Sequence, residues 1–314
     1  MTYSDTRKVH QIARRVLGIS DGIISSLGSG ASSAAWRVDW KDDAFIVRIA
    51  PDGNNRPITY RSEFTILRLL KKQVCAVPEA IQNSFECQVP VEGISQAWTI
   101  TRAVEGTAIQ KRPMSSSTAT ELGQLLQIAH SLPAVGYGRL SEQASGIIGQ
   151  QSDRLDGVQS RWCWAKLWPF DGSPLDAHPL ARLKPDLIPK LRQREPEIMD
   201  VILEGPVVLT HADLHGEHIF IEDDRLTGLI DFGAACIGTP AWDFASLAFY
   251  HGWPVTQEML CGYASTNSER GYHLEQARHV SLTLAMYKLD KAVTEKSTNA
   301  KQRRILHFIE EILK

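Results

Sequence analysis

Residues 209 to 220 read LTHADLHGEHIF. Between positions 211 and 218 stand His211, Asp213, His215, Glu217 and His218, with Gly216 among them. Side chains of these types can ligate a metal, pass a proton, or form only a polar loop between strands. The chemistry becomes specific downstream. IFIEDDRLTGLIDFGAA reads as a short strand, an Asp-Asp turn, a second short strand and then Asp231. Such a hairpin can bring Asp213 and Asp231 to one end of a small ribbon, with His218 opening its first strand. A base, two metal ligands and a glycine-rich turn on an opposite lobe are the minimum set for phosphoryl transfer from a nucleotide.

The elements that must position these groups change character along the chain. The first third is β-rich. GIISSLGSGASSAAWRVDW predicts a strand, a small-residue turn and a second strand; DAFIVRIAP predicts a third, stopped by Pro51; QAWTITRAV predicts another, ended at Glu105-Gly106. Between them, TYRSEFTILRLLKK places Phe64, Leu67 and Leu70 on one helical face. Arg48 lies between Val47 and Ile49, so its side chain takes the opposite strand face and can line a cleft. From about residue 116 helices dominate: STATELGQLLQIAHSL, SLTLAMYKLDKAV with Leu282, Met286, Leu289 and Val293 in a stripe, and RRILHFIEEILK with Ile305, Phe308, Ile309, Ile312 and Leu313. These stripes read as core. The change of pattern divides the chain into a nucleotide-binding lobe, 1–103, and a helical lobe, 104–314, with a hinge near Ala103–Thr107. Residues 133 to 185, which include RWCWAKLWPF, carry no clear pattern.

Composition bounds the partners. The chain has 314 residues, 43% hydrophobic and 22% charged, with net charge −2. Nothing there attracts nucleic acid. No run approaches the roughly 20 apolar residues of a membrane span. Five cysteines without C-x-x-C spacing, and no apolar N-terminal run, predict reduced thiols in a cytoplasmic protein.

HADLHGEH matches the kinase catalytic-loop pattern H-x-D-x-x-x-x-N except at its last position, and DFG begins eighteen residues after Asp213. Ala212 and the continuation GLIDFGAACIGTPAWDFASL, with Gly238, Pro240 and Asp243, resemble the aminoglycoside phosphotransferase family of the protein-kinase-like superfamily. The resemblance is strong for 208–247, moderate for 45–106 and absent for 133–185. It implies an α/β (α+β), bilobal fold with a β-rich N-lobe and a helical C-lobe. It also implies ATP or GTP as donor, with Mg2+. Asp213 is then the catalytic base or orients the acceptor hydroxyl, and His211 braces the loop. His218 and Asp231 hold the metal. Arg48 stands where the family carries a phosphate-binding lysine, with Glu63 as its helix partner. Gly28, Ser29, Gly30, Ser32 and Ser33 form the phosphate-covering turn. Ile100, Thr101, Arg102 and Ala103 resemble the hinge that bonds the purine. Histidine in place of asparagine at 218 departs from most members, since magnesium prefers hard oxygen donors.

The implied acceptor is a hydroxyl on a small molecule, a cationic aminoglycoside-type antibiotic, in a monomer or weak dimer. A carboxylate-lined cleft would suit such a polycation, and Asp171, Asp176, Glu217, Asp290 and Glu295 are the candidates. A macrolide kinase, a metabolic small-molecule kinase and a non-catalytic nucleotide-binding regulator are the rival readings. Zinc is a further rival for the three histidines, although H-x3-H-x2-H fits no usual helical zinc pattern. His10, His130, His178 and His307 read as buried structural histidines, and Trp162, Trp164 and Trp168 as core or interface.

Overall fold

The computed structural model describes residues 3–29, 33–52, 59–110, 112–143, 145–161, 168–170, 172 and 174–314. Helix α1 (Tyr3–Ile12) precedes β1 (Ile23–Ser29), β2 (Ala34–Trp40) and β3 (Asp43–Ile49); then come α2 (Tyr60–Lys72), β4 (Ala80–Asn83) and β5 (Trp98–Arg102). The strands make an antiparallel sheet in the order β1-β2-β3-β5-β4. Alternation decides its faces. Phe45, Val47 and Ile49 are buried with Trp36, Val38, Val9 and Ile12, which leaves Arg48 on the other face. Helix α2 buries Phe64, Ile66, Leu67 and Leu70 along one side. Each such side chain contributes about 1.5–3 kcal/mol relative to exposure.

Past β5 the chain crosses into a second body. The order is β6 (Thr107–Ala108), α3 (Ser116–Ser131), β7 (Ala134–Val135), β8 (Tyr137–Leu140), β9 (Ile147–Gln151), α4 (Arg154–Arg161), α5 (Pro179–Leu183) and α6 (Ile188–Leu203). Next come β10 (Val208–Thr210), β11 (Ile219–Glu222), β12 (Arg225–Leu229), β13 (Cys236–Gly238), α7 (Ala241–His251), α8 (Trp253–Tyr263), α9 (Asn267–Thr294) and α10 (Asn299–Ile312). Strands β11 and β12 form the expected hairpin, with β6 on its edge; β10 and β13 join β8, β9 and β7 in a second sheet. Because β5 belongs to the first sheet and β6 to the hairpin's, we propose the lobe boundary between them, at 103/104.

Two helices exceed their sequence reading for opposite reasons. In α9 the stripe of Leu282, Met286 and Leu289 occupies only the second half; the first half is polar and starts at a capping box between Thr266 and Glu269. In α7 every residue from Ala241 to Ala248 is buried, so no stripe exists to be seen. Trp168 is core, 5% exposed, whereas Trp162, Cys163 and Trp164 lie outside the described residues. The four described cysteines are free.

Candidate active site

The loop between β10 and β11 is held from beneath by one acid. Asp243, in the first turn of α7 and fully buried, accepts hydrogen bonds from the backbone N–H of His211 at 2.9 Å and of Ala212 at 2.6 Å. His130 Nε2 lies 3.0 Å from the same carboxylate, and its Nδ1 3.0 Å from the Tyr263 hydroxyl. Burial alone would lift the Asp243 carboxyl, but His130 and the loop amides hold it below its ordinary range. The acid fixes Ala212 at φ 63°, a left-handed backbone that a non-glycine residue keeps only under such constraint. Leu214 N–H donates to Ser246 Oγ at 3.0 Å, and Gly216 packs so tightly on Gln110 that a Cβ would stand 2.1 Å from its carbonyl oxygen.

His211 sits inside this brace. Its Nε2 donates to the Ile230 carbonyl at 2.9 Å and its Nδ1 accepts the Asp213 N–H at 3.3 Å, so both ring nitrogens are used. Burial, aided by His218, pushes its basicity down and keeps it neutral. That removes His211 from any metal and ends the three-histidine zinc reading. A tighter grouping remains: donor atoms of Asp213, His215 and His218 lie within 4.8 Å of one another.

The reactive surface opens above. Asp213 keeps 32% of its side chain exposed, with His215 Nε2 at 3.7 Å from its carboxylate. His218 Nδ1 donates to the Asp213 carbonyl at 2.9 Å, which leaves Nε2 toward Asp231, 3.3 Å from Oδ2. Asp231 begins the turn after β12 at φ 63°. Its other oxygen is 3.6 Å from Arg48 Nη1. Burial works against the Asp231 charge, but His218 and Arg48 outweigh it and hold the carboxyl far below the usual range. Arg48, on β3, pairs with Glu63 of α2 through both terminal guanidinium nitrogens, one at 3.0 Å, and lies 5.1 Å from the Tyr60 ring. Burial opposes the Arg48 charge, yet Glu63 and Asp231 keep it firmly protonated. Without a metal, and against burial, Asp231 raises the basicity of His218; with the proton displaced, the imidazole nitrogen and the carboxylate oxygen 3.3 Å away fit one edge of a divalent-cation shell.

Several expectations need correction or narrowing. The phosphate-covering turn is described only at its rims: Gly28, at φ 112° beside a bulge in β1, Ser29, and Ser33, which bonds to Tyr60; Gly30 and Ser32 lie outside the described residues. At the hinge the described N–H groups are engaged by strand pairing. Ile100 is fully buried mid-strand, Thr101 is paired on both sides, and the N–H groups of Arg102 and Ala103 already donate to Glu79 and Ala44. Of the acceptor acids, Asp176 pairs with Arg192, Glu295 with Lys291, Glu217 is exposed, Asp290 is half-buried and Asp171 lies outside the described residues. His10 and His307 are exposed rather than buried, and His178 caps α5 through Nδ1.

Sequence reasoning missed Glu142. Its Oε2 accepts the N–H of Arg61 at 2.9 Å and of Ser62 at 3.3 Å, while the N-cap residue Thr59 makes no side-chain cap. A carboxylate from the segment between β8 and β9 therefore caps the helix that carries Glu63. No periodicity or motif marks it.

The sequence matches the phosphotransferase enzyme family (APH) over residues 23–276. The chain belongs to this family. Hygromycin-B 4-O-kinase of Escherichia coli is 21% identical over 244 residues, 76% of this chain and 66% of that enzyme, so the chain spans just under two thirds of its length. Homoserine kinase of Zymomonas mobilis subsp. mobilis is 39% identical over 70 residues, 22% of this chain and 21% of that one. The fold matches a thermostable mutant of aminoglycoside phosphotransferase APH(4)-Ia, in ternary complex with AMP-PNP and hygromycin B, at TM-score 0.64 and 17% identity over 98% of this chain and 97% of that one. For a member of the phosphotransferase enzyme family, the β-sheet lobe and helical lobe are the shared scaffold, and residues 23–276 take in both Arg48 and the loop 211–218. No described helix is long and apolar enough to cross a membrane.

Proposed function

We propose that the protein transfers the γ-phosphoryl group of ATP or GTP to a hydroxyl of a small molecule. The observation that carries this is Asp231, 3.6 Å from Arg48 of the sheet lobe and 3.3 Å from His218 of the catalytic loop, with the open carboxylate of Asp213 beside them. Arg48, oriented by Glu63, holds donor phosphates as a fork. His218 and Asp231 would hold Mg2+, whose chemistry is neutralisation of charge between the phosphates. Asp213 orients the acceptor hydroxyl and takes its proton. The acceptor oxygen forms a bond to the γ-phosphorus while the bond to the β–γ bridging oxygen breaks. His211, neutral and doubly bonded, keeps the Asp213 backbone in place.

The names of the relatives support an aminoglycoside-type acceptor, as the sequence reading expected. The partial match to homoserine kinase supports a metabolic acceptor as the second reading. Incubation with ATP or GTP, magnesium and both classes of acceptor, read by mass spectrometry for one added phosphoryl group, tests the reaction. Asp213→Asn should retain nucleotide affinity and lose roughly 10²–10⁴ of kcat; near-normal kcat would remove Asp213 from its role. His218→Asn should stay active and shift from manganese toward magnesium, because an amide oxygen is the harder donor. Identical metal preferences in the two proteins would show that position 218 is not a ligand.

A further inference from the structure

On the His215 side of Asp213 the surroundings are cationic. The His215 ring meets the Tyr250 ring edge-on, 5.5 Å between centroids, at the end of α7. The Tyr250 hydroxyl accepts from Lys288 Nζ at 2.8 Å. Burial, then the charge of Asp213, pushes that hydroxyl's acidity well away from its ordinary range, so base and phenol share one electrostatic neighbourhood. Lys291 and Arg304 act on the same hydroxyl, and Arg304 also donates to the Phe249 and Tyr250 carbonyls. Burial, with His215 and Arg304, holds His251 down to about 4.

Lys288 is the unusual member. It is half-buried on α9, its ammonium 5.3 Å from the Tyr250 ring and 5.8 Å from the Tyr287 ring. Those ring faces help hold it in place. Nζ carries three donors, of which Tyr250 takes one. Among the described residues no carboxylate forms an ion pair with it, although its neighbour Lys291 has Glu295 at 3.7 Å. A half-buried ammonium with donors to spare, linked to the proposed base through Tyr250 and His215, is a recognition group for an anion. A polycation brought here would meet Lys288, Lys291 and Arg304 as well as the Asp213 carboxylate, with Glu295 already taken by Lys291.

We propose that Lys288, steered by Tyr250, binds an anionic substituent of the acceptor, so that the molecule phosphorylated is a small hydroxy acid or hydroxy amino acid rather than an aminoglycoside. This rests on the phosphotransfer reading and names the acceptor class of that same site. Asp213 handles the hydroxyl, and Lys288 neutralises the carboxylate and sets which hydroxyl is presented.

The test uses the full chain with magnesium and ATP or GTP against L-homoserine, L-serine and glycerate on one side, hygromycin B and kanamycin on the other. Phosphorylation of the hydroxy-acid panel is expected. Lys288→Met should raise its KM at least roughly tenfold, the worth of one charge-assisted hydrogen bond, with kcat falling less than KM rises. Lys288→Arg should restore most of the affinity, which a merely structural lysine would not require. Phosphorylation of the aminoglycosides with their KM unchanged or lowered in Lys288→Met overturns the subsite and leaves phosphotransfer standing. Failure of both panels in a protein that binds nucleotide with magnesium overturns phosphotransfer and this inference with it.

Discussion

The catalytic loop, 211–218, and the Arg48–Glu63 arm meet at Asp231, but they are supported in different ways. The loop is held by a buried acid that satisfies two of its amides and a histidine at once, inside a core that excludes water. The arm is an ion pair across a strand and a helix, and that helix is capped by Glu142 from a segment 80 positions away. A group buried with several partners cannot be lost without stranding them all. A cap at a half-exposed helix end can be lost with the helix still packed. The loop therefore joins catalysis to folding, whereas the arm can be tuned while the fold survives.

The largest break should come at Asp243→Ala. It strands His130 and two loop amides in a dry site, at a cost of about 3–5 kcal/mol. Melting temperature and kcat should fall together; a variant that melts normally yet has lost activity would show that the brace is not structural.

Acid sharpens the contrast next. Burial, with His215 and Arg304, lowers His251 from 6.5 to about 4. The unfolded chain therefore binds the extra proton first. Stability is full above about pH 6.5, falls as pH drops toward 4, and is level below. After allowance for its partial exposure the loss is roughly 2 kcal/mol. His251→Phe should flatten the fall of melting temperature between those values. The arm carries no comparable histidine among the residues that pair within it, so nucleotide binding measured at temperatures below melting should change less. A fall of equal depth in His251→Phe would assign the acid sensitivity elsewhere, to His211, His215, His273 or His279, which are also lowered.

The smallest effect belongs to Glu142→Ala. Loss of a helix cap costs about 0.5–2 kcal/mol, and the freed N-terminus of α2 should let Glu63 drift from Arg48. The nucleotide KM should rise more than kcat falls. Glu142→Gln keeps an oxygen acceptor and should recover part of the difference. Equal KM values in Glu142→Ala and the unaltered protein would separate the cap from the arm.

Much of the fold was legible from local pattern. Alternation in DAFIVRIAP placed Arg48 opposite Val47 and Ile49, and the stripe in α2 placed Phe64, Leu67 and Leu70 inward. The hairpin from Ile219 to Leu229 followed from its Asp-Asp turn. That strand pairing uses the amides of Arg102 and Ala103 was not legible, because a strand's sequence does not say which edge is already bonded. The ion pairs of Asp176 and Glu295 were not legible, because composition records charges without their partners.

What the sequence by itself determined is the residue types of the proposed site: an acid at 213, a histidine at 218 and an acid at 231, close in the chain and joined by one hairpin. What only the tertiary structure decided is everything that holds or surrounds them across long separations: His130 on Asp243 at 113 positions, Glu142 on α2 at 80 and 81, Lys288 on Tyr250 at 38. Hydrophobic periodicity reports which face of an element is buried, not what it is buried against. A polar residue gains its partner only when separate elements pack, and no pattern within either element records the choice.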